Sequence, residues 1–542
     1  MLVSALSNAL LVVALGVAPP SSEPRLVLVV VVDQLRLEEM HRLAPLLGPD
    51  GFGGLEARGT LLDARYNTVN TETGPGHATI STGAYANDHG VVANTMMFPE
   101  GRRYVVQDSS APLWGVAEPK SGRSPRVLKV TTVGDQLKLA SGGKSRVLSV
   151  TGKDRSALLT AGSAGDLALW WDGDLQRFVS STFYAPQEPG WVRAFNDAHP
   201  PASLSAFTWE PHRPLAQFSA YTRADDAPGE GPRYGLGTSF PKVLSSPAVK
   251  PETVGQAVRI TPKADSLVLE AAAAAARELG VCTDLAPDLM FVGLSGYDLI
   301  GHAYGPYSVE RADSYVRLSQ DLKAFLTDLE KRCPRDQMAI ILTSDHGVSP
   351  LPEDAESLRI PSGRVRMNAV MQAVDAHLDA TSGPNDWVAL FSPPHLWLRP
   401  SLKGELGCEA IEAAARAARV PGVGRTVATC RLQTLANPVW LPFHHVVDEE
   451  RSGHLLIEPK PHWLWDDGGT DTGGADHGTS FLTDQRVPLL IIAPPAYRIP
   501  QPWLDGPVDM RQLAPTLTTL LNVTPPSAAH QPSLLVKERR RK

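Results

Sequence analysis

The chain has 542 residues, 43% hydrophobic and 20% charged, which are ordinary globular values that exclude collagen-like, coiled-coil and wholly disordered classes. Its formal charge of −7 argues against a general nucleic-acid binder, and no nucleic-acid partner is expected. The length allows several domains or one large α/β sheet with insertions, and 47 prolines with 45 glycines make the chain rich in loops.

Residues Met1 to Ala18 carry no charged side chain and contain the apolar run Ala9–Leu15, then Gly16-Val17-Ala18 and a polar, proline-rich stretch to Pro24. This reads as a signal peptide over 1–18 that lacks the usual early Lys or Arg, with a retained membrane anchor as the alternative. A periplasmic or secreted mature chain follows, with no stable membrane partner unless that segment is retained. No later segment reaches the roughly 20 apolar residues that span a bilayer.

The apolar run Leu26–Val32 stops at Asp33. Thr73-Gly74-Pro75-Gly76-His77 follows, with Thr73 expected as an N-cap, Pro75 in the first turn and Ala78–Thr82 continuing the helix. A hydroxyl there sits at the positive end of the helix dipole, where an alkoxide and a phosphate are both favoured. Asp88-His89-Gly90 follows this helix and is read as structural; Asp108-Ser109-Ser110 has no helical pattern after it. The run Val147–Val150 leads to Lys153-Asp154-Arg155. Phe183–Val249 looks like an irregular excursion rich in Pro, Gly and aromatics.

Asp265 and Gly280 serve as expected start and stop signals for an Ala-rich helix. Leu289–Leu294 leads to Asp298 and His302, a helical run covers Val309–Lys331, and Met338–Thr343 leads to Asp345-His346-Gly347. Short unalternating apolar runs are expected as strands of a parallel sheet buried on both faces. From about 362 to 471 the chain changes character, with amphipathic segments at Met367–His377 and Glu409–Ala418, and is read as an inserted cap or small α+β subdomain. His477-Gly478-Thr479 comes after it, and the sheet resumes at Val487–Ile492. The expected division is a catalytic domain of 25–361 and 472–535, a cap of 362–471 and a basic solvated tail of 536–542. His444-His445 is read as a surface pair, and His395 and His462 as packing residues. Cys282 and Cys333 each close a helical run before a strand, and Cys408 and Cys430 lie in the insertion; two disulfides or four separate thiols both fit.

In open α/β sheets ligands collect beyond the carboxyl ends of the strands, so Asp33, Asp298 and Asp345 delivered to one edge make a site. With His302, His346 and His477 they supply six N/O ligands, more than one tetrahedral ion needs, and two zinc ions are the natural reading. Paired ions clamp the attacking and leaving oxygens of a phosphoryl displacement.

Asp33, Thr73 in TGPGH, Asp298/His302, Asp345/His346 and His477 resemble, in order, the metal and nucleophile pattern of the alkaline phosphatase superfamily, over about Leu26 to Leu535. The branch resembled is that of the type I phosphodiesterase/nucleotide pyrophosphatases and the phosphate-irrepressible alkaline phosphatases. The resemblance implies an α/β/α sandwich with a mostly parallel central sheet. It also implies two Zn²⁺ per chain, one on Asp298, His302 and His477, the other on Asp33, Asp345 and His346 with Thr73 bridging as nucleophile. Asn94 and the Lys153-x-Arg155 pair occupy the places of the monoesterases' contacts to phosphoryl oxygens. A small phosphate monoester is the implied substrate and a covalent phosphothreonine the implied intermediate, with a phosphodiesterase or a catalytically silent binding protein as alternatives. Oligomeric state is not legible.

Overall fold

The computed structural model describes residues 23–116, 122–231, 233–399, 406–468 and 473–538. The expected signal peptide and residues 539–542 of the tail lie outside them. Nine strands form the central sheet: β1 Leu26–Val32, β2 Thr60–Arg65, β3 Val147–Thr151, β4 Leu167–Asp172, β5 Arg177–Val179, β6 Asp288–Leu294, β7 Met338–Thr343, β8 Arg486–Ile492 and β9 Val508–Asp509, in the order β9-β2-β8-β7-β1-β6-β3-β4-β5. From β7 to β4 all neighbours pair in parallel. β8 runs antiparallel to both β7 and β2, and β5 is antiparallel to β4.

All seven side chains of β1 are buried. Leu26, Leu28, Val30 and Val32 enter one core and Val27, Val29 and Val31 the other, so alternation along a strand feeds two helical layers. This is why the run shows no polar alternation. Helices α1 Thr73–Thr82, α2 Asp154–Ala161, α3 Pro262–Glu278, α4 Gly296–Tyr304, α5 Val309–Glu330 and α6 Leu513–Leu521 include the principal members of those layers. Among the described residues no helix is long and apolar enough to cross a membrane.

Asp265 does not start α3. Thr261 is the N-cap and Pro262 the first helical residue, so Asp265 lies inside the helix, 2% exposed. Its two carboxylate oxygens accept the Gly296 and Tyr297 N–H groups at 2.8 and 2.9 Å, capping α4 instead of its own helix. Both cysteine pairs form disulfides, Cys282–Cys333 and Cys408–Cys430.

Between neck strands Gly363–Arg366 and Trp463–Asp466, which pair in parallel, the chain builds a four-stranded antiparallel sheet of its own. Its order is Val388–Ser392, His395–Leu398, Leu455–Pro459, Val423–Ala428, and helices Met367–Ser382 and Cys408–Ala417 share its hydrophobic core. His395 is buried against Trp397, whereas His462 is exposed in a turn at φ +67° and does not pack as expected. His444 and His445 are half-buried, not a surface pair: His445 Nδ1 bonds Asn67 O at 2.5 Å and its ring lies 4.8 Å from Tyr85, joining this subdomain to the main body.

Candidate active site

Four parallel strands deliver chemistry to one sheet edge: β1 ends at Asp33, β3 at Lys153, β6 before α4 with Asp298 and His302, and β7 before Asp345 and His346. α4 places Asp298 and His302 one turn apart on the same face.

Thr73 differs from its expected role. Glu72 is the N-cap and Thr73 the first residue of α1, making no cap bond. Glu72 accepts the Asn94 N–H at 2.8 Å, and Asn94 Oδ1 accepts the Gly74 N–H at 2.9 Å, so the helix end is satisfied without the threonine. Thr73 Oγ1 instead receives Lys153 Nζ at 3.2 Å and Arg155 Nη2 at 3.3 Å, and lies 3.5 Å from His346 Nε2. The glycine of TGPGH before His77 is sterically required: a Cβ on Gly76 would meet the Asp345 carbonyl oxygen at 2.4 Å.

The ligand candidates fall into two adjoining groups. Asp33, Asp345 and His346 are all fully buried and offer three atoms within 4.8 Å of one another. Asp298 Oδ1 lies 3.2 Å from His302 Nε2 and 3.8 Å from His477 Nε2, and the two Nε2 atoms are 3.2 Å apart. His302, His346 and His477 all point Nδ1 at a backbone carbonyl, of Ala475, Gly347 and Thr71 respectively, at 2.7–2.9 Å. A carbonyl only accepts, so each Nδ1 carries a proton and each Nε2 faces inward, the orientation a metal-ligating histidine needs. Asp33 Oδ1 is buried and accepts no hydrogen bond, and Asp345 Oδ2 has His77 Nδ1 at 3.1 Å, an atom that also lies 3.0 Å from the Thr73 carbonyl. An orphaned carboxylate oxygen beside converging imidazoles fits divalent cations.

Lys153 Nζ stands between Asp33 Oδ2 at 2.7 Å and Asp298 Oδ2 at 2.6 Å. Burial and then the neighbouring Asp345 raise Asp33 to a pKa of about 6. Burial also works against the Asp298 carboxylate, but His302 and Lys153 outweigh it and hold the group well below its usual range. Burial, reinforced by His346 and His302, pushes His477 far down, into the neutral form that ligates.

Several site residues went unnoticed in the sequence. Asp476 groups with His302 and His477; the repeat of Asp-His-Gly at 476–478 after 345–347 was the available signal. Gln34 donates to Asp298 at 2.8 Å, and Tyr104 links Asp154 to Arg155. Neither has a signature in spacing. Asp108 is occupied by Ser110, Ser124 and Arg126, and His89 by the Val91 N–H, consistent with structural roles. A cavity of about 530 Å³ opens over the centre and is lined in part by Lys153, Arg155, His302, His477, Phe391 and Trp465.

A family model described as type I phosphodiesterase / nucleotide pyrophosphatase matches residues 27–480. Alkaline phosphatase PafA of Elizabethkingia meningoseptica is 28% identical over 519 residues, covering 93% of each chain. Alkaline phosphatase PhoV of Synechococcus elongatus is 34% identical over 354 residues, 64% of this chain and 62% of that protein. A crystal structure of wild-type PafA superposes with a TM-score of 0.84 at 27% identity, covering 94% of this chain and 98% of that one.

Proposed function

This chain belongs to the type I phosphodiesterase/nucleotide pyrophosphatase family, an alkaline-phosphatase-like hydrolase fold, and on that premise we propose that it hydrolyses phosphate monoesters through a covalent phosphothreonine on Thr73, with two zinc ions per chain. One observation carries the choice of monoester: Lys153 and Arg155 both donate to the same oxygen, Thr73 Oγ1. A monoester dianion has one more charged oxygen than a diester, and an ammonium with a forked guanidinium matches it.

Asp298, His302 and His477 would hold one ion and Asp33, Asp345 and His346 the other; bound there, the pair supplies positive charge at the attacking and departing oxygens. The remaining chemistry belongs to the chain. Two cations donating to Thr73 Oγ1 favour its deprotonated form at the positive end of α1. Oγ1 bonds phosphorus as the ester P–O bond breaks, and the alcohol leaves. Lys153 and Arg155 then face the equatorial oxygens, with Asn94 Nδ2 as a third donor, its Oδ1 being fixed by Gly74. Attack of water on the phosphothreonine releases phosphate and restores the hydroxyl. The inserted residues 362–471 act as a cap, contributing Leu390, Phe391 and Trp465 to the cavity wall.

The test compares kcat/KM for phenyl phosphate and methyl phenyl phosphate in wild type, Lys153→Ala and Arg155→Ala. Each variant should lose on the order of 10²–10³ on the monoester and little on the diester. Equal losses would leave the pair a structural role. A wild-type preference for the diester would favour the second reading, a phosphodiesterase, for which the family match speaks. We place the mature protein in the periplasm or outside the cell; the support is that all four cysteines of the chain are in disulfides. Fractionation of the producing cells, with N-terminal sequencing of the mature chain, checks this.

A further inference from the structure

Six Lys and Arg side chains line the cavity over the centre, together with the carboxylates of Glu72, Asp298, Asp466, Asp467 and Asp476. Lys153 and Arg155 converge on Thr73, and Arg364 is tied to Glu353 and to the Gly474 carbonyl. Arg102, Arg233 and Arg259 are different: among the described residues none has a carboxylate within ion-pairing distance. Arg233 and Arg259 are part-buried, and the Nε of each is fully buried without a hydrogen-bond partner; Arg259 reaches only Gln256, through Nη1 at 2.8 Å. Part-burying a guanidinium without a counter-charge is unfavourable, and buried donors are ordinarily satisfied. Two such arginines, neither in a direct ion pair, leave guanidinium donors on the cavity wall for an anionic ligand, even with Asp476 close enough to feel the charge of Arg233.

Their position says which anion. Thr73 lies beside His346, in the Asp33 group, so in-line attack sends the leaving group towards Asp298, His302 and His477. Arg233 stands on that side: it lines the cavity with His302 and Asp476, two residues beyond Gly231, whose N–H donates to the Ala303 carbonyl at 2.8 Å. Arg259 borders the same cavity and a smaller one shared with Lys153 and Arg155. We propose that Arg233 and Arg259 form a second anion site on the cavity wall, which selects phosphate monoesters whose leaving group itself carries a phosphoryl or carboxylate group. Exposed Arg102 adds to the field that draws such substrates in. This rests on the monoesterase reading for its substrate, but not for the binding of the anion.

The experiment has a kinetic and a binding arm. In the first, kcat/KM is measured for phenyl phosphate, 3-carboxyphenyl phosphate and 1,3-phenylene bisphosphate in wild type, Arg233→Gln, Arg259→Gln and the Lys counterparts. Wild type should favour one or both anionic substrates by about tenfold. Each Gln variant should lose most of that preference while phenyl phosphate stays within about twofold of wild type, and Lys should retain part of it. Which of the two anionic substrates gains identifies the second group as phosphoryl or carboxylate. In the second arm, calorimetry compares phenylphosphonate with 3-carboxyphenylphosphonate, neither of which can be hydrolysed. The carboxylated probe should bind more tightly in wild type and not in the Gln variants. Equal treatment of neutral and anionic probes by wild type, or parallel losses on all three substrates, overturns the proposal. Selective phosphonate binding without any turnover of phenyl phosphate would overturn the monoesterase reading and leave the anion site standing.

Discussion

Thr73 occupies a position where the helix it starts has no use for its hydroxyl. Glu72 and Asn94 complete the helix end, so Thr73 Oγ1 is free to receive Lys153 and Arg155. Thr73→Ala should therefore reduce turnover on the order of 10⁴-fold or more with zinc content and Tm close to wild type, because no cap is lost and the six proposed metal ligands are untouched. Steady-state kinetics with elemental analysis and a thermal melt check it; near-normal hydrolysis, or a phosphoryl group trapped on another residue, would remove Thr73 as nucleophile. At this scale the convergence of the candidate ligands was legible because Asp33, Asp298 and Asp345 each follow closely on a buried apolar run, and such runs are visible in one dimension. Gln34 was not. Its backbone sits at φ +70°, which costs a non-glycine residue energy, and it is held there by Asp298 and by Arg311, 277 residues away. Constraints of that kind arise only when the fold closes.

At the scale of elements, the start of α4 depends on a neighbour. Asp265 of α3 caps Gly296 and Tyr297, and Asp298 follows directly. An amide offers only one oxygen, so Asp265→Asn leaves one buried N–H unpaired and should cost about 1–3 kcal/mol, read by urea unfolding, with a lowered zinc content because Asp298 and His302 ride on that helix. Unchanged stability and full metal content would assign Asp265 no such role. The irregular excursion supplies a second case. Glu230 is buried beside Glu310, and burial first, then that like charge, raises its pKa to about 8 despite Arg223 at 3.2 Å and nearby Lys242. A carboxyl whose pKa is raised on folding stabilises most below its unfolded pKa, and that contribution is lost as pH climbs through the folded value. Glu230→Gln should melt roughly 2 °C or more above wild type at pH 9 and show no advantage under acidic conditions where the glutamate is protonated in both states. A constant gap at all pH values would contradict this. Strands and helix positions were readable from apolar runs and amphipathic spacing. The role of Asp265 was not, because a sequence shows that an aspartate could cap a helix but not which helix it reaches.

For the molecule as a whole, purified protein should contain close to two zinc ions per chain, and chelation should abolish activity and lower Tm, since a ligand bound only by the folded state stabilises it. Fewer than two ions in a fully active preparation, measured by elemental analysis, would contradict the two-ion centre. The sheet order has a further consequence. Among the described residues β2, which leads into Thr73, pairs only with β8 and β9, so Arg65 meets Arg486 and Asp509. A polypeptide still emerging from the ribosome thus carries β2 without neighbours through most of its synthesis. His477, the last of the proposed ligands, arrives in the same late stretch. On that assignment, translation order alone keeps the centre open until the chain is nearly complete, and a product cut short after the inserted subdomain should be inert rather than partly active.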